Sequence, residues 1–236
     1  MTLEINPILC RKGTMNNYAY FITDKDSSIS AVVDASETKP IIDFCEENNV
    51  KPQYILTTHH HFDHVGANTE LKVKYGLKII GPEREKDLIS GLDITVKESD
   101  IFLLGDTNIR IIETAGHTNG HILFYAEDDK VLFTGDVLFN LCIGGLFDGT
   151  PEQMFNSLQK IKSLPDDVVF YPGHEYTEHC LLQALRHKHH DIEEYVQIAI
   201  PRLQKGLPVA PVNLGLEKKC NPYLQINNLK DFARLF

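Results

Sequence analysis

The stretch Thr57–His64, TTHHHFDH, places four histidines and one aspartate within eight residues. In an extended loop, residues two apart point to the same side. His59 and His61 can therefore face one point, whereas Asp63 and His64 can reach a second point nearby. Imidazole and carboxylate groups together favour zinc, iron or manganese over calcium or magnesium. The stretch therefore predicts a metal site, and the alternative is a polar surface loop.

The first 176 residues contain both strand patterns and helix patterns. Runs rich in β-branched and aromatic residues predict strands at Tyr18–Thr23, Ser30–Ala35, QYILTT (53–58), NIRIIETA (108–115), HILFYA (121–126), KVLFTG (130–135) and VVFYP (168–172). Helices are predicted at Lys39–Asn48, Gly66–Tyr75 and Pro151–Lys162, the last with Thr150 as N-cap. Beyond residue 176 we expect two helices, Thr177–Lys188 and Asp191–Lys205, and no strands.

Three further ligand-type residues follow predicted strands, and glycines flank each of them. His117 lies in TAGHTNGH, Asp136 in FTGDVLF and His174 in YPGHEYT. Sites in α/β proteins gather at the carboxyl ends of strands. The residues then divide into two metal-ligand sets joined by one carboxylate, whose two oxygens can bridge the ions. These sets are His59, His61 and His117, then Asp63, His64 and His174, with Asp136 as the bridge.

The order of these motifs resembles the metallo-β-lactamase superfamily. The shared pattern is H-x-H-x-D-H, then the histidine of GHT, the aspartate of GD and the histidine of GHEY. NNYAYFI, FTGDVLF with LFDGTPEQM, and PRLQKGLPVAPVNLGLEKKCNPYL are similar to segments of the glyoxalase II, or hydroxyacylglutathione hydrolase, family. The resemblance implies an α+β fold, with an αββα sandwich in residues 1–176 and a small C-terminal helical domain in residues 177–236.

The resemblance also implies a reaction and its metals. A binuclear metallohydrolase would convert S-(2-hydroxyacyl)glutathione, such as S-lactoylglutathione, to glutathione and a 2-hydroxy acid, in methylglyoxal detoxification. Two divalent ions, expected to be zinc with iron or manganese as alternatives, would hold a bridging hydroxide that attacks the thioester carbonyl. No side chain is therefore predicted to act as a general base.

The implied substrate contacts are Tyr176, Phe147, Gly145 and Arg234. Two of them depart from the family pattern. Gly145, in CIGGLFDGT, stands where the family has a basic residue, and the final LKDFARLF offers only Lys230 and Arg234 in place of a basic stretch. These departures weaken the expectation of glutathione as the thiol and leave the hydrolytic centre unchanged.

Composition bears on partners and compartment. The formal net charge of −10 opposes a nucleic-acid partner. Neither a signal-peptide pattern nor an apolar run of membrane-spanning length is visible. We therefore expect a cytoplasmic monomer that acts on a small-molecule thioester, without nucleic acid or membrane. The five scattered cysteines predict neither a disulfide framework nor a cysteine zinc site, and a reducing compartment is expected.

Several alternatives use the same motifs. They are a sulfur dioxygenase with a single iron, a hydrolase of a different thioester, a β-lactamase, a processing nuclease and a structural metal-binding module. Structural zinc sites are usually closed by four Cys or His ligands, whereas His and Asp sets around two ions leave water positions open. His121 is expected to be structural, and the histidines of RHKHHD (186–191) are expected to form a solvated helix end.

Overall fold

Two six-stranded β-sheets, each built from one part of the sequence, organise the computed structural model, which describes residues 2–186 and 192–236. The first sheet contains β1 (Leu3–Cys10), β2 (Asn17–Asp24), β3 (Ser30–Val33), β4 (Tyr54–Leu56), β5 (Lys78–Pro82) and β6 (Ile94–Val96) in that spatial order. Pairing is antiparallel from β1 to β3 and parallel from β3 to β6.

The second sheet begins with β7 (Ile101–Leu104), β8 (Thr107–Glu113), β9 (Ile122–Ala126) and β10 (Val131–Gly135). A small hairpin of β11 (Leu138–Phe139) and β12 (Cys142–Ile143) follows, and β13 (Val169–Pro172) and β14 (Val212–Asn213) complete the sheet. Its spatial order is β14-β13-β10-β9-β8-β7. Only the β10–β13 pair is parallel among the paired strands of this sheet in the described part of the chain.

Helices cover the outer faces of both sheets. They are α1 (Thr38–Glu47), α2 (Phe62–Val65), α3 (Asn68–Tyr75), α4 (Pro151–Lys162), α5 (Thr177–Arg186), α6 (Glu193–Gln204), α7 (Leu214–Cys220) and α8 (Leu229–Phe232), with short 3-10 segments at Glu83–Glu85 and Ala233–Leu235. Within the described residues, no helix combines the length and apolar character needed to cross a bilayer.

The strand alternation explains the layers. Successive side chains of a strand point to opposite faces, and in β2 Tyr20 lies in the core between the two sheets while Phe21 packs under the outer helices. In the second sheet, Phe124 lies in the same inner core and Tyr125 faces α4 and the C-terminal helices. The predicted αββα sandwich is therefore confirmed.

The sequence predicts α4 accurately, because the residues that cap this helix are adjacent to it in the chain. The predicted helix Pro151–Lys162 is confirmed residue for residue as α4. The Thr150 hydroxyl accepts a hydrogen bond from Gln153 N at 3.2 Å, and the Gln153 side chain accepts one from Thr150 N at 2.8 Å. This reciprocal capping box satisfies two backbone N–H groups that the helix leaves free.

The C-terminal part differs from the expectation of helices alone. That prediction is wrong at β14, which pairs antiparallel with β13 at the edge of the second sheet. One apolar cluster joins this sheet, α4 and the C-terminal helices, so the two parts share a core. The division of the chain at residue 176 stays a prediction, and His187, His189 and His190 lie outside the described residues.

One disulfide is present, although the scattered cysteines predict no disulfide framework. Cys142 in β12 and Cys180 in α5 form this disulfide, with their Cα atoms 6.2 Å apart. The two residues are 38 positions apart in the sequence. Packing of α5 over the β11–β12 hairpin brings them together, which no local spacing could indicate.

A buried carboxylate ties the C-terminal helices to the same hairpin. Glu217 in α7 is fully buried. Its Oε1 accepts hydrogen bonds from Leu141 N and Asn221 Nδ2, each at 2.7 Å, and its Oε2 accepts one from the Tyr195 hydroxyl at 2.9 Å. Burial raises the pKa of Glu217 from its ordinary 4.5 to about 7, although these donors act in the opposite direction.

Glu217→Gln, which resembles the protonated acid, is expected to change how stability depends on pH. A group whose pKa is raised by folding binds its proton more tightly in the folded state, so its contribution to stability is lost as pH rises from 4.5 through about 7. At 1.36 kcal/mol per pKa unit, the variant should gain about 3 kcal/mol relative to the wild type between pH 4.5 and pH 8. Urea unfolding at both pH values measures this difference. Glu152→Gln, on the exposed face of α4, is the control, and an equal pH response of the two variants would contradict the role of Glu217.

Candidate metal centre

Seven ligand-type side chains converge where strands of both sheets end. Those of the TTHHHFDH stretch follow β4, and the others follow β8, β10 and β13. Their ligand atoms form three groups, in each of which all atoms lie within 4.8 Å of one another. The groups are His59, His61 and His117; His59, His64 and Asp136; and Asp63, His64 and His174.

The first predicted ligand set is compact. His117 Nε2 lies 3.0 Å from His61 Nδ1, and the ring of His59 lies 4.7 Å from that of His61 and 4.9 Å from that of His117. Two imidazole nitrogens on one tetrahedral zinc ion, at Zn–N distances of 2.0–2.1 Å, are about 3.3 Å apart. The spacing therefore fits three imidazoles that share one cation.

The second predicted ligand set has similar spacing. His64 Nε2 lies 3.3 Å from His174 Nε2. Asp63 Oδ2 lies 3.4 Å from His174 Nε2 and 3.7 Å from His64 Nε2. Asn17 Nδ2 donates a hydrogen bond to Asp63 Oδ2 at 2.9 Å, which fixes the carboxylate in this position.

Asp136 contacts both sets. Its Oδ2 lies 3.4 Å from His117 Nε2 and 3.2 Å from His174 Nε2, and its Oδ1 lies 3.3 Å from His64 Nε2. Asp136 Oδ1 and His59 Nε2 are buried without a hydrogen-bond partner. Buried acceptors are normally paired, and a cation would satisfy both atoms. The donor set of this site therefore fits a divalent metal.

Burial keeps the three imidazoles of the first ligand set in the form that can bind a metal. Burial lowers the pKa of His59 well below its ordinary value, lowers that of His61 to about 4, and lowers that of His117. These rings are therefore neutral at pH 7, and metal ligation requires neutral imidazole. Burial opposes ionisation of Asp136, but the neighbouring His64 and His174 hold the pKa of its carboxyl well below the ordinary range.

Asp34, at the end of β3, supports the second set and was missed by the sequence analysis. Its Oδ2 accepts hydrogen bonds from His64 Nδ1 at 3.0 Å and the Thr58 hydroxyl at 2.8 Å, and its Oδ1 accepts one from Thr58 N at 2.8 Å. His64 thus donates its Nδ1 proton to Asp34, and its Nε2 is the nitrogen that can bind a metal. The signal in the sequence was an aspartate near the end of the predicted strand Ser30–Ala35, and the parallel pairing of β3 with β4 brings this strand end beside the histidine stretch.

Glu85, also missed, connects the two loops that carry histidines. It is buried in the 3-10 segment Glu83–Glu85. Its Oε2 accepts from His60 N at 2.6 Å, and its Oε1 accepts from Gly120 N at 3.1 Å and from the Thr118 hydroxyl. One carboxylate therefore sets the distance between the loop of His61 and the loop of His117.

His121 has the structural position expected of it. Its Nε2 accepts a hydrogen bond from Asp136 N at 3.1 Å, so its Nδ1 carries the proton and donates to the Thr114 hydroxyl at 3.0 Å. Gly135, with a positive φ of 47°, allows this approach, because an added Cβ would lie 2.6 Å from His121 Nε2. At Gly173 a Cβ would lie 2.3 Å from Asp136 Oδ1.

Two of the predicted substrate contacts are aromatic side chains at the metal centre. Tyr176 stacks on His174, with ring centroids 4.7 Å apart and planes 10° apart. Phe147 is 72% exposed, and its ring contacts those of His61 and His117 at 4.8 Å and 5.0 Å. Both side chains therefore border the space above the ligand sets.

The other two predicted contacts differ from each other. Gly145 contacts the centre through its carbonyl oxygen, which accepts a hydrogen bond from His117 Nδ1 at 2.8 Å. Arg234 pairs with Asp231 at 3.0 Å, and its neighbour Leu235, rather than Arg234 itself, lines a cavity beside the metal centre.

A largely apolar cavity of about 730 Å³ opens beside the metal centre. We call it the apolar cavity. Phe139 and Tyr176 form its end near His174. Its walls are the β11–β12 hairpin, α5 and the region around Tyr223, and no lysine or arginine is among the described residues that line it.

Asp34→Asn should weaken metal binding. The asparagine N–H₂ group would face one of the donors from which Asp34 now accepts a hydrogen bond, and that hydrogen bond would be lost. Loss of such a carboxylate partner of a ligating histidine typically lowers metal affinity about 10- to 100-fold. Chelator competition measures this affinity. Asp24→Asn is the matched control, since Asp24 is equally buried but contacts Ser27 and Thr107. Equal losses in both variants would contradict the role of Asp34.

Comparison with solved structures agrees with this architecture. The crystal structure of BLEG-1 B3 metallo-beta-lactamase superimposes with a TM-score of 0.73 over 94% of this chain and 100% of that chain, at 21% sequence identity. At this identity the likeness shows the fold alone. Residues 13–174 match the profile of the Metallo-beta-lactamase superfamily.

Sequence relatives extend the match over the whole chain. Hydroxyacylglutathione hydrolase of Pelagibacter ubique (strain HTCC1062) is 41% identical over 99% of this chain and 97% of its own length. Hydroxyacylglutathione hydrolase of Brucella ovis (strain ATCC 25840 / 63/290 / NCTC 10512) is 42% identical over 99% of this chain and 90% of its own length. The chain therefore belongs to the hydroxyacylglutathione hydrolase family within the metallo-beta-lactamase superfamily.

Proposed function

We propose that the chain is a binuclear metal-dependent thioesterase that hydrolyses S-(2-hydroxyacyl)glutathione, such as S-lactoylglutathione, to glutathione and a 2-hydroxy acid. The observation that carries the proposal is the placement of Asp136 against both histidine sets. Relatives named for this activity match 99% of the chain. We also expect a cytoplasmic monomer, and both of these expectations remain predictions.

Two metal ions are part of the proposal. His59, His61 and His117 would hold one ion, Asp63, His64 and His174 would hold the other, and Asp136 would be shared. Zinc is the proposed metal, and iron and manganese accept the same imidazole and carboxylate donors. The complete second set supports a hydrolase over the sulfur dioxygenase, which would need a single iron.

The chemistry divides between the ions and the chain. When bound, two such ions supply a hydroxide nucleophile at neutral pH and a Lewis acid for the carbonyl oxygen. The chain orients the ligands through the hydrogen bonds of Asp34, Glu85 and His121. A thiol with a pKa of about 8.5 is a good leaving group, so the chain does not need a strong general acid.

The apolar cavity is the proposed substrate site. Its volume of about 730 Å³ is within the usual range of ligand pockets, about 300–1,000 Å³. Burial raises the pKa of Tyr176 to about 12, so its hydroxyl stays protonated at neutral pH and can donate a hydrogen bond to substrate. Phe147 and Gly145 would flank the substrate on the side of His117.

Hydrolysis of S-lactoylglutathione by the zinc-loaded protein tests the proposal directly. Asp136→Ala should bind well under two metals per chain and lose activity by orders of magnitude, because both ions lose a ligand. Elemental analysis and thioester absorbance provide the two measurements. The control is Asp128→Ala, in an exposed turn. Full activity with two metals in Asp136→Ala would refute the bridging role.

Two further comparisons refine this test. His174→Ala removes a ligand of one proposed ion only, so it should deplete one metal preferentially. Faster hydrolysis of the coenzyme A thioester of lactate than of S-lactoylglutathione would reject glutathione as the thiol while leaving the metallohydrolase intact.

Gly145→Arg should lower the KM for a glutathione thioester. The structure has room for the side chain, since a Cβ would meet only Phe147 Cε2, at 3.9 Å. A partly exposed ion pair with a glutathione carboxylate contributes about 1 kcal/mol, which corresponds to a KM about 3- to 10-fold lower. The effect should shrink at high salt, and kcat should barely change because the contact binds ground and transition states alike. The control Gly145→Ala separates the effect of the arginine charge on KM from the effect of removing glycine. An unchanged KM in the arginine variant would show that glutathione does not use this position.

A further inference from the structure

The disulfide between Cys142 and Cys180 lies in the wall of the apolar cavity. Both cysteines line it, together with Tyr176 and Tyr223. The other described cysteines with free thiols include Cys10 and Cys45, which are buried in the separate core beneath α1. Cys142 is partly exposed at the cavity wall, whereas Cys180 belongs to the buried cluster behind it.

The pair also joins two elements that shape the cavity. Cys142 belongs to β12, and this strand leads directly to Gly145, whose carbonyl holds His117. Cys180 belongs to α5, which begins next to Tyr176. The disulfide therefore connects two walls of the cavity. One is β12, and the other is α5, which follows the Tyr176 that stacks on His174.

We propose that Cys142–Cys180 is a thiol-exchange site, at which a small thiol such as glutathione enters the apolar cavity and forms a mixed disulfide with Cys142. The source of that thiol rests on the proposed function, since hydrolysis would release glutathione in this cavity. The exchange chemistry itself needs only the thiol and the disulfide.

The exchange is balanced without another reagent. The glutathione thiolate attacks Sγ of Cys142, the bond between the two protein sulfurs breaks, and Cys180 leaves as a thiolate that takes up a proton. A second glutathione thiolate can attack the glutathione sulfur of the adduct, which yields glutathione disulfide and a free Cys142. Two thiols are then oxidised while one protein disulfide is reduced.

Geometry selects Cys142 as the site of attack. Cys180 is only 8% exposed, whereas Cys142 is partly exposed. Cys180 also lies in the first turn of α5, with its backbone N–H bonded to Tyr176 O at 3.0 Å. The positive end of a helix stabilises a thiolate, so Cys180 is the better leaving group.

The adduct would occupy the site of the substrate. A glutathionyl group on Cys142 extends into the cavity that contains Tyr176. The metal ligands lie beyond Phe139 and Tyr176 and are not bonded to either cysteine. Thiol exchange should therefore block substrate binding and leave the metal content unchanged.

Mass spectrometry of the zinc-loaded protein tests the proposal without any thioester. The protein is first oxidised with glutathione disulfide and then incubated with glutathione. We expect one glutathione adduct per chain, mapped to Cys142, and a newly alkylatable thiol at Cys180. Failure of the pair to oxidise, or an adduct that forms equally at both cysteines, would overturn the proposal.

Single variants provide the matched comparison. Cys180→Ser leaves Cys142 as a thiol that glutathione disulfide should modify at least about tenfold faster than it modifies Cys180 in Cys142→Ser, because accessibility limits the exchange. Cys45→Ala should label like the wild type. Equal rates in the two cavity variants would reject the assignment to Cys142.

An activity measurement then separates this inference from the proposed function. If S-lactoylglutathione is a substrate, activity should fall in proportion to the fraction of adduct and return with dithiothreitol, at constant metal content. Full activity at complete labelling would refute the block. If the thioester is not hydrolysed at all, the proposed function fails, while the mass measurement still decides whether exchange occurs at Cys142.

Discussion

The buried carboxylate of Asp136 is the constraint on which the site depends. Only 5% of the residue is exposed, and it is surrounded by imidazoles from three separate loops. An isolated charge in a protein interior costs several kcal/mol, so its neighbours must compensate it. His64 and His174 hold its pKa down, and one of its oxygens is left without a hydrogen bond in a position where a cation would bind.

The arrangement of the two sheets brings these ligand side chains together. Each sheet contributes strand ends at one edge of the sandwich, and the inner core between the sheets keeps those edges together. Gly173 allows the backbone to approach the carboxylate more closely than any other residue would permit, and Gly135 allows the same close approach to His121. Asp34 and Glu85 then fix the loops from outside the ligand sets, through buried charged hydrogen bonds, which are stronger than neutral ones.

The C-terminal helices share their core with the second sheet and also shape the cavity. Glu217 contacts the backbone of Leu141, Asn221 contacts that of Cys142, and the disulfide connects the same hairpin to α5. Two hydrogen bonds and one disulfide therefore hold the short β11–β12 hairpin against the C-terminal helices. Since this hairpin leads to Gly145, and Gly145 holds His117, the C-terminal region is physically linked to the metal centre.

The sequence by itself determined the residue types, their order and the strand ends on which they lie. The H-x-H-x-D-H spacing, the Gly-flanked loops and the capping box of α4 are local, because period and turn chemistry act within a few residues. Tertiary structure alone decided the partners of buried groups. Asp34 with His64, Glu217 with Leu141, Cys142 with Cys180 and the edge pairing of β14 all join residues distant in sequence. Such contacts form only when packing removes these groups from water, where an unpaired polar atom must find whichever partner the fold has brought near.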